Sequence, residues 1–436
     1  MNIKELLLSS EELVKELTEH INFWHISFKE AEERIVEFVN KIGQALTDDL
    51  IEKVQEPTLE NRIIVNGEVA TYHELRPLRF INRFGGETIR QRRCYKYQDK
   101  EGGYYPLDER LGIDLCGGKF SPLLSYLEAS YGASEAFEES ARKLSEALGF
   151  NISATAIQNN TEKVGARMSE LPYRLISDDR RSEGCDVMLV EIDGTMTPQI
   201  STVEGITGRE SLKQKTEYKE CNVVVIEKYK GEELIDRWIG ARYGPRKTFE
   251  EYVRQAGLQM GQMKATNVLF GADGMESNWE IQRTNFPGAI TFLDFYHAGE
   301  HLNDFCDLFN EQEKGKVQYQ KWIKMLLEGE VLQVIAEMKE SLDKITDKDK
   351  GWKEINYFQK NNERMKYDEY KDAGYPIGSG LVEGACKYVI GKRFKGSGMR
   401  WKKTDNENVL KVRLSKLNGE LHEYFKPKPK EWTIAA

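Results

Sequence analysis

Apolar positions change their period several times along this chain, and those changes divide it. Between about Glu11 and Lys53 the residues Ala31, Ile35, Phe38, Val39, Ile42 and Leu46 recur at helical spacing, which predicts a packing helix of an N-terminal domain. From about Arg62 to Tyr105 the pattern turns strand-like. It predicts a hairpin about Asn66-Gly67 and a second β segment from Phe84 to Tyr97 in which basic and aromatic residues interleave. Helical spacing returns between Leu123 and Met168. There Ala136 to Gly149 reads as a helix closed by glycine, Phe150-Asn151-Ile152 as a turn, and Ser153 as the N-cap of a second helix. That is a helix-turn-helix arrangement, with Thr155, Gln158, Asn159 and Lys163 able to reach base edges or phosphates.

A polar stretch from about Leu171 to Gly184 reads as a linker. Beyond it come a strand ending at Asp193, strands over Glu220–Glu227 and Trp238–Tyr243, and a helix from Thr248 to Gly257. A fourth strand ends at Asp273 and a fifth spans Ala289 to His297. Three strands, a helix and two further strands follow the ribonuclease-H-like order, in which the first and fourth strands lie side by side. A charged helical insertion carrying Trp322, Trp352 and Tyr357 then precedes a glycine-rich helix start at Gly378–Glu383.

The candidate chemistry sits at the ends of these elements. Asp193 and Asp273 each close a β-branched run, and Glu383 stands in the first turn of a helix. Each Asp-Gly pair is also a common turn dipeptide, and a glutamate in a first helical turn is favoured by the helix dipole alone. Taken together, three such carboxylates can hold two hard divalent cations, Mg²⁺ or Mn²⁺, and support phosphoryl transfer on a nucleic-acid backbone. Asp294 and His297 face the same junction. His297 and His301 have helical spacing but lack the H-E-x-x-H residues of a zinc helix.

Net charge is −9, against a nucleic-acid partner on average, yet charge is local. Between Lys387 and Lys403 there are basic residues and no acidic one, and between Arg76 and Lys96 the single acid is Glu87. Lys387, Lys392, Arg393, Lys395 and Arg400 beside Trp401 suit a phosphate backbone and a stacked base, although a solvated face is the plainer account of any one basic run. Charged residues make up 31% and hydrophobic ones 39%, as in a water-soluble protein of two or three domains. No apolar run is long enough for a membrane span, the N-terminus lacks a signal-peptide pattern, and the six cysteines form no CxxC pair, which suggests reduced thiols in a cytoplasm.

The motifs Glu191-Ile192-Asp193-Gly194-Thr195, Ala272-Asp273-Gly274, Asp294 to Leu302, Gly378 to Lys387 and Lys395 to Trp401 resemble those of bacterial insertion-sequence transposases of the ISKra type, in the Mutator-like DDE group. The resemblance runs from about Arg76 to Leu414. It implies an α/β protein with an RNase-H-like catalytic domain and a helical insertion, plus an N-terminal α+β DNA-binding region. It implies Asp193, Asp273 and Glu383 as the metal-binding triad, with Asp294 and His297 as the C/D-x-x-H element. It further implies double-stranded DNA as partner, at terminal inverted repeats and target, and a homodimer or higher oligomer in the bacterial nucleoid. Relatives carry a cysteine-rich piece before Pro106-Leu107-Asp108-Glu109, where this chain has Cys94 alone. The expected division is 1–60 helical, 61–170 DNA-binding, 185–302 catalytic core, 303–372 helical insertion and 373–425 the glutamate-bearing helix with its basic loop. A nuclease without strand transfer and a catalytically silent DNA-binding derivative remain the competing expectations.

Overall fold

The computed structural model describes residues 3–56, 60–99, 101–116, 119–168, 182–201, 215–396, 399, 401–426 and 432–434. Most of the expected linker, residues 171–181, lies outside them, as does Arg400. The chain forms two units, Met1–Ser169 with Thr404–Ala436, and Glu170–Lys403. No helix among the described residues is long and apolar enough to cross a membrane.

In the first unit, α1 (Ile3–Asn22) and α2 (Phe28–Lys53) replace the one helix expected there. A capping box makes the break: the Ser27 hydroxyl accepts from the Glu30 amide, and the Glu30 carboxylate accepts from the Ser27 amide at 2.6 Å. β1 (Arg62–Val65) and β2 (Glu68–Ile81) form the expected hairpin, with Asn66 and Gly67 at φ 51° and 82°, the left-handed pair that a two-residue turn needs. β3 (Glu87–Tyr97), β4 (Gly103–Tyr104) and α3 (Pro106–Leu111) follow. α4 (Pro122–Gly132), α5 (Phe137–Leu148) and α6 (Ala154–Arg167) then close a small core of Leu124, Leu144, Leu148 and Ile157. Gly149 ends α5 at φ 75° and the Ser153 hydroxyl caps α6, so the helix, turn and second helix lie where the sequence puts them.

The second unit is built on β5 (Val187–Ser201), β6 (Lys215–Lys230), β7 (Glu233–Tyr243), α7 (Arg246–Gln259), β8 (Asn267–Ala272), α8 (Glu276–Asn285), β9 (Ile290–Leu293) and α9 (Phe295–Cys306). The strands lie in the order β7-β6-β5-β8-β9. The first three are antiparallel, and β8 runs parallel to both β5 and β9. In this mixed five-stranded sheet the first and fourth strands, β5 and β8, lie side by side, as the expected strand order requires. Two boundaries differ from expectation. β5 does not stop at Asp193, because the long β6 keeps pairing with it to Ser201. β9 stops at Leu293, because the Asp294 side chain caps α9 by accepting from the Tyr296 amide.

The insertion forms α10 (Gln312–Leu327), α11 (Val331–Glu340), α12 (Lys348–Asn361) and α13 (Tyr367–Asp372), and its Trp322, Val334, Ile355 and Phe358 share one core with the sheet. α14 (Gly380–Ala385), a π-helical turn at Cys386–Gly391 and α15 (Lys392–Phe394) follow. The chain then returns to the first unit through α16 (Lys403–Leu417), α17 (Leu421–Tyr424) and β10 (Trp432–Ile434), which pairs with β1. Residues 404–425, expected to belong with the catalytic core, therefore fall in the first unit. There the buried Arg413 guanidinium donates to the Ala133 carbonyl at 2.8 Å.

Candidate metal centre

Side chains alternate along a strand, so Glu191, Asp193 and Thr195 share one face of β5. Each meets the segment that follows the insertion, at Val382, Cys386 and Lys395 respectively. Parallel pairing with β8 ends at Glu191 and Gly271, which leaves Asp193 standing just beyond the end of its neighbour. The two Asp-Gly pairs differ. Gly194 is paired with Asn222 inside the strand, whereas Gly274 takes φ 92° in a true turn that carries Asp273.

Asp193, Asp273 and His297, the last in the first turn of α9, offer ligand atoms that all lie within 4.8 Å of one another. This group could hold a metal ion. Its supports are specific. Asp273 Oδ1 accepts from the Met275 amide at 3.0 Å and from Asn278 Nδ2 at 2.7 Å. Asp193 Oδ1 accepts from the Gly194 amide at 2.6 Å, and the Cys386 thiol donates to Oδ2 at 3.6 Å. Burial lifts the Asp193 carboxyl above its ordinary range and the charge of Asp273 adds to this, while the Gly194 amide and the Cys386 thiol act the other way. A cation between the two carboxylates would relieve that repulsion. His297 Nδ1 is buried 3.3 Å from Glu300 and 3.6 Å from Asp294, without a hydrogen bond among the described residues. Two carboxylates with one imidazole form a mixed oxygen and nitrogen donor set that could hold a metal ion.

The remaining expected site residues divide. Glu383 is not in this group; its carboxylate accepts from Lys387 at 2.8 Å. Asp294, expected to be catalytic, is fully buried and already engaged. It accepts from the amides of Tyr296 at 2.9 Å and Ser379 at 3.1 Å, and from the Ser379 hydroxyl. His301 turns to Glu354 at 2.5 Å and stacks on Tyr357, so it does not converge with His297 on a metal.

In the basic segment Lys387, Lys392 and Lys395 are exposed; Lys392 lies over the Tyr388 ring and Lys395 donates to the Thr195 hydroxyl at 2.6 Å. Arg393 and Trp401, expected to meet DNA, are 1% and 5% exposed, with the guanidinium 4.6 Å from the indole centroid and Phe394 beside it, so both side chains are packed among neighbours in this structure. In the basic hairpin, Arg92 is likewise turned inward on Asp108 and Tyr105. On α6, Thr155, Asn159 and Lys163 form an exposed stripe, while Gln158 is half-buried and donates to Glu162 at 2.8 Å.

Sequence reasoning does not single out Glu191, Cys386 or Asn278, and it gives Tyr357 no part in the site. Strand periodicity from Asp193 points back to Glu191, and helical spacing from Glu383 points forward to Cys386. Nothing local marks Asn278 or Tyr357 as supports of Asp273.

The sheet and the Asp/Asp/His group define a mixed α/β protein with an acidic, metal-competent site. The chain belongs to the uncharacterised protein family UPF0236, whose model matches residues 22–428. No curated protein matches it. A solved structure titled Drosophila P element transposase strand transfer complex is similar at 10% identity, covering 69% of this chain and 79% of that one, with a TM-score of 0.26.

Proposed function

We propose that this chain is the DDE transposase of an insertion sequence, ISKra-like, which binds double-stranded DNA at the element's ends and catalyses strand cleavage and strand transfer. The observation that carries the reading is the placement of Asp193 and Asp273 at adjacent parallel strands with His297, their ligand atoms within 4.8 Å. Two bound Mg²⁺ or Mn²⁺ ions would activate the attacking oxygen and steady the leaving one. Asp193 and Asp273 would hold the metal, with His297 supplying an imidazole ligand. Glu383, now paired with Lys387 one helical turn away, would complete the anionic set on leaving that partner. Lys387, released, joins Lys392 and Lys395 in neutralising backbone phosphates. The exposed stripe of α6, Thr155, Asn159 and Lys163, would read the ends.

The test uses purified protein and a plasmid carrying the DNA that brackets its gene. Cuts at the element ends and joined products are expected with Mn²⁺ and lost in EDTA. Cuts without joining would give a nuclease, and binding without cuts a silent DNA-binding protein.

A further inference from the structure

Glu383 lies far along the chain from Asp193, beyond the whole helical insertion, yet its helix is returned to β5. The structure shows what does this. At the base of the insertion the Phe295 amide donates to the Ile377 carbonyl at 2.9 Å. The next hold is Asp294, whose carboxylate takes both the amide and the hydroxyl of Ser379. Three residues on, Glu191 Oε2 accepts from the Val382 amide at 3.1 Å. Both carboxylates are fully buried. Glu191 stands two residues before Asp193 on the same strand face, and Asp294 stands three before His297 on the same helix end. Each acid is thus rigidly joined to one member of the metal-competent group and to one end of the Ser379–Val382 turn.

We infer that Asp294 and Glu191 are positioning residues, a pair of buried acceptors that clamp the Ser379–Val382 turn and so hold the helix that carries Glu383 against the strand that carries Asp193. The inference rests on the proposed reading of Glu383 as third metal carboxylate. Neither acid needs to touch a metal or substrate: Asp294 has its carboxylate fully engaged, and Glu191 acts through a neutral amide that any acceptor of the same length would hold. Outer groups of this kind orient ligands, and their loss costs about 10–100-fold in metal affinity or activity.

The experiment is a Mn²⁺ titration of the full chain without DNA, read by the free-ion paramagnetic signal, with thermal unfolding as the folding control. Ser379→Ala removes one arm of the clamp with the least disturbance. Its Mn²⁺ dissociation constant should rise about tenfold. Glu383→Gln should weaken binding similarly, and the double variant should be no weaker than Glu383→Gln alone, since both act through one carboxylate. Glu191→Gln, which keeps an acceptor for Val382, should bind Mn²⁺ as wild type does, and Glu191→Leu should not. Losses from Ser379→Ala and Glu383→Gln that add, an unaffected Ser379→Ala protein, or a Glu191→Gln protein as impaired as Asp193→Asn would each overturn the inference. Failure of the proposed function shows separately, as wild-type protein that binds Mn²⁺ but neither cuts nor joins DNA.

Discussion

The hydroxyl of Tyr357, on α12 of the insertion, donates to the main-chain carbonyl of Asp273 at 2.9 Å, between residues 84 positions apart. The same ring stacks on His301 and fills the space beside Gly274, where an added Cβ would come within 2.8 Å of it. The insertion thereby braces the turn that carries the second carboxylate. Tyr357→Phe keeps the ring and removes the bond. It should cost about 1 kcal/mol in chemical unfolding. It should also raise the Mn²⁺ requirement, on the order of tenfold as for other outer-sphere supports. An unchanged Mn²⁺ midpoint would show that the turn holds Asp273 unaided.

The first unit contains a carboxyl that works against it at neutral pH. Glu128 on α4 is fully buried, and neither of its carboxylate oxygens has a hydrogen-bond partner among the described residues. Burial pushes its pKa from 4.5 up to about 8. Between those values the folded chain binds more protons than the unfolded one, so stability falls as pH rises. The contribution is fully present below the unfolded pKa and lost as pH passes the folded one. Glu128→Gln cannot ionise and should flatten this slope. Urea unfolding of both proteins across that range should show the variant's advantage growing with pH; a constant difference would contradict it.

The exposed and buried members of the basic segment should separate cleanly. Lys392→Ala with Lys395→Ala should leave stability unchanged and weaken DNA binding for every sequence. The slope of log affinity against log salt should fall by about 2, roughly one unit for each phosphate no longer neutralised. Trp401→Ala removes a buried ring and should destabilise by about 3–5 kcal/mol. A stable Trp401→Ala protein with weakened DNA binding would return that residue to the interface.

On α6, Asn159→Ala should reduce the preference for element ends over random DNA while leaving nonspecific affinity intact, because a base contact carries discrimination of about 1–3 kcal/mol. Competition gel shifts check this. An unchanged preference would remove α6 from end recognition.

Legibility follows the range of the forces involved. The hairpin at Asn66-Gly67, the Ser153 cap and the strand order from Asp193 to Asp273 are local, and period and turn chemistry reveal them. The capping box at Ser27 and Glu30 is equally local, yet apolar spacing runs on through it and hides the break. What cannot be read is whatever depends on partners distant in sequence. β5 outlasts Asp193 because β6 is long. Asp294 is a clamp because Ser379 arrives from beyond the insertion, and Arg393 is buried because Trp401 and Phe394 enclose it. Basic residues in a glycine-rich run look alike in sequence whether they face solvent or a core.

The central claim rests on Asp193. Asparagine keeps its size and an acceptor for the Gly194 amide while removing one of the charges that a cation pair requires. Asp193→Asn should fold and bind element ends as wild type does. Cleavage of intact ends and joining of pre-cleaved ends should then fall together, by about 10³-fold or more, since both are phosphoryl transfers at one metal site whose electrostatic stabilisation is lost. The direct measurement is the Mn²⁺-dependent joining rate of pre-cleaved ends by the two proteins, with gel shifts of the same samples. Loss of joining with retained binding is the expected result. A variant that binds the ends and joins them at the wild-type rate would contradict the assignment of this site.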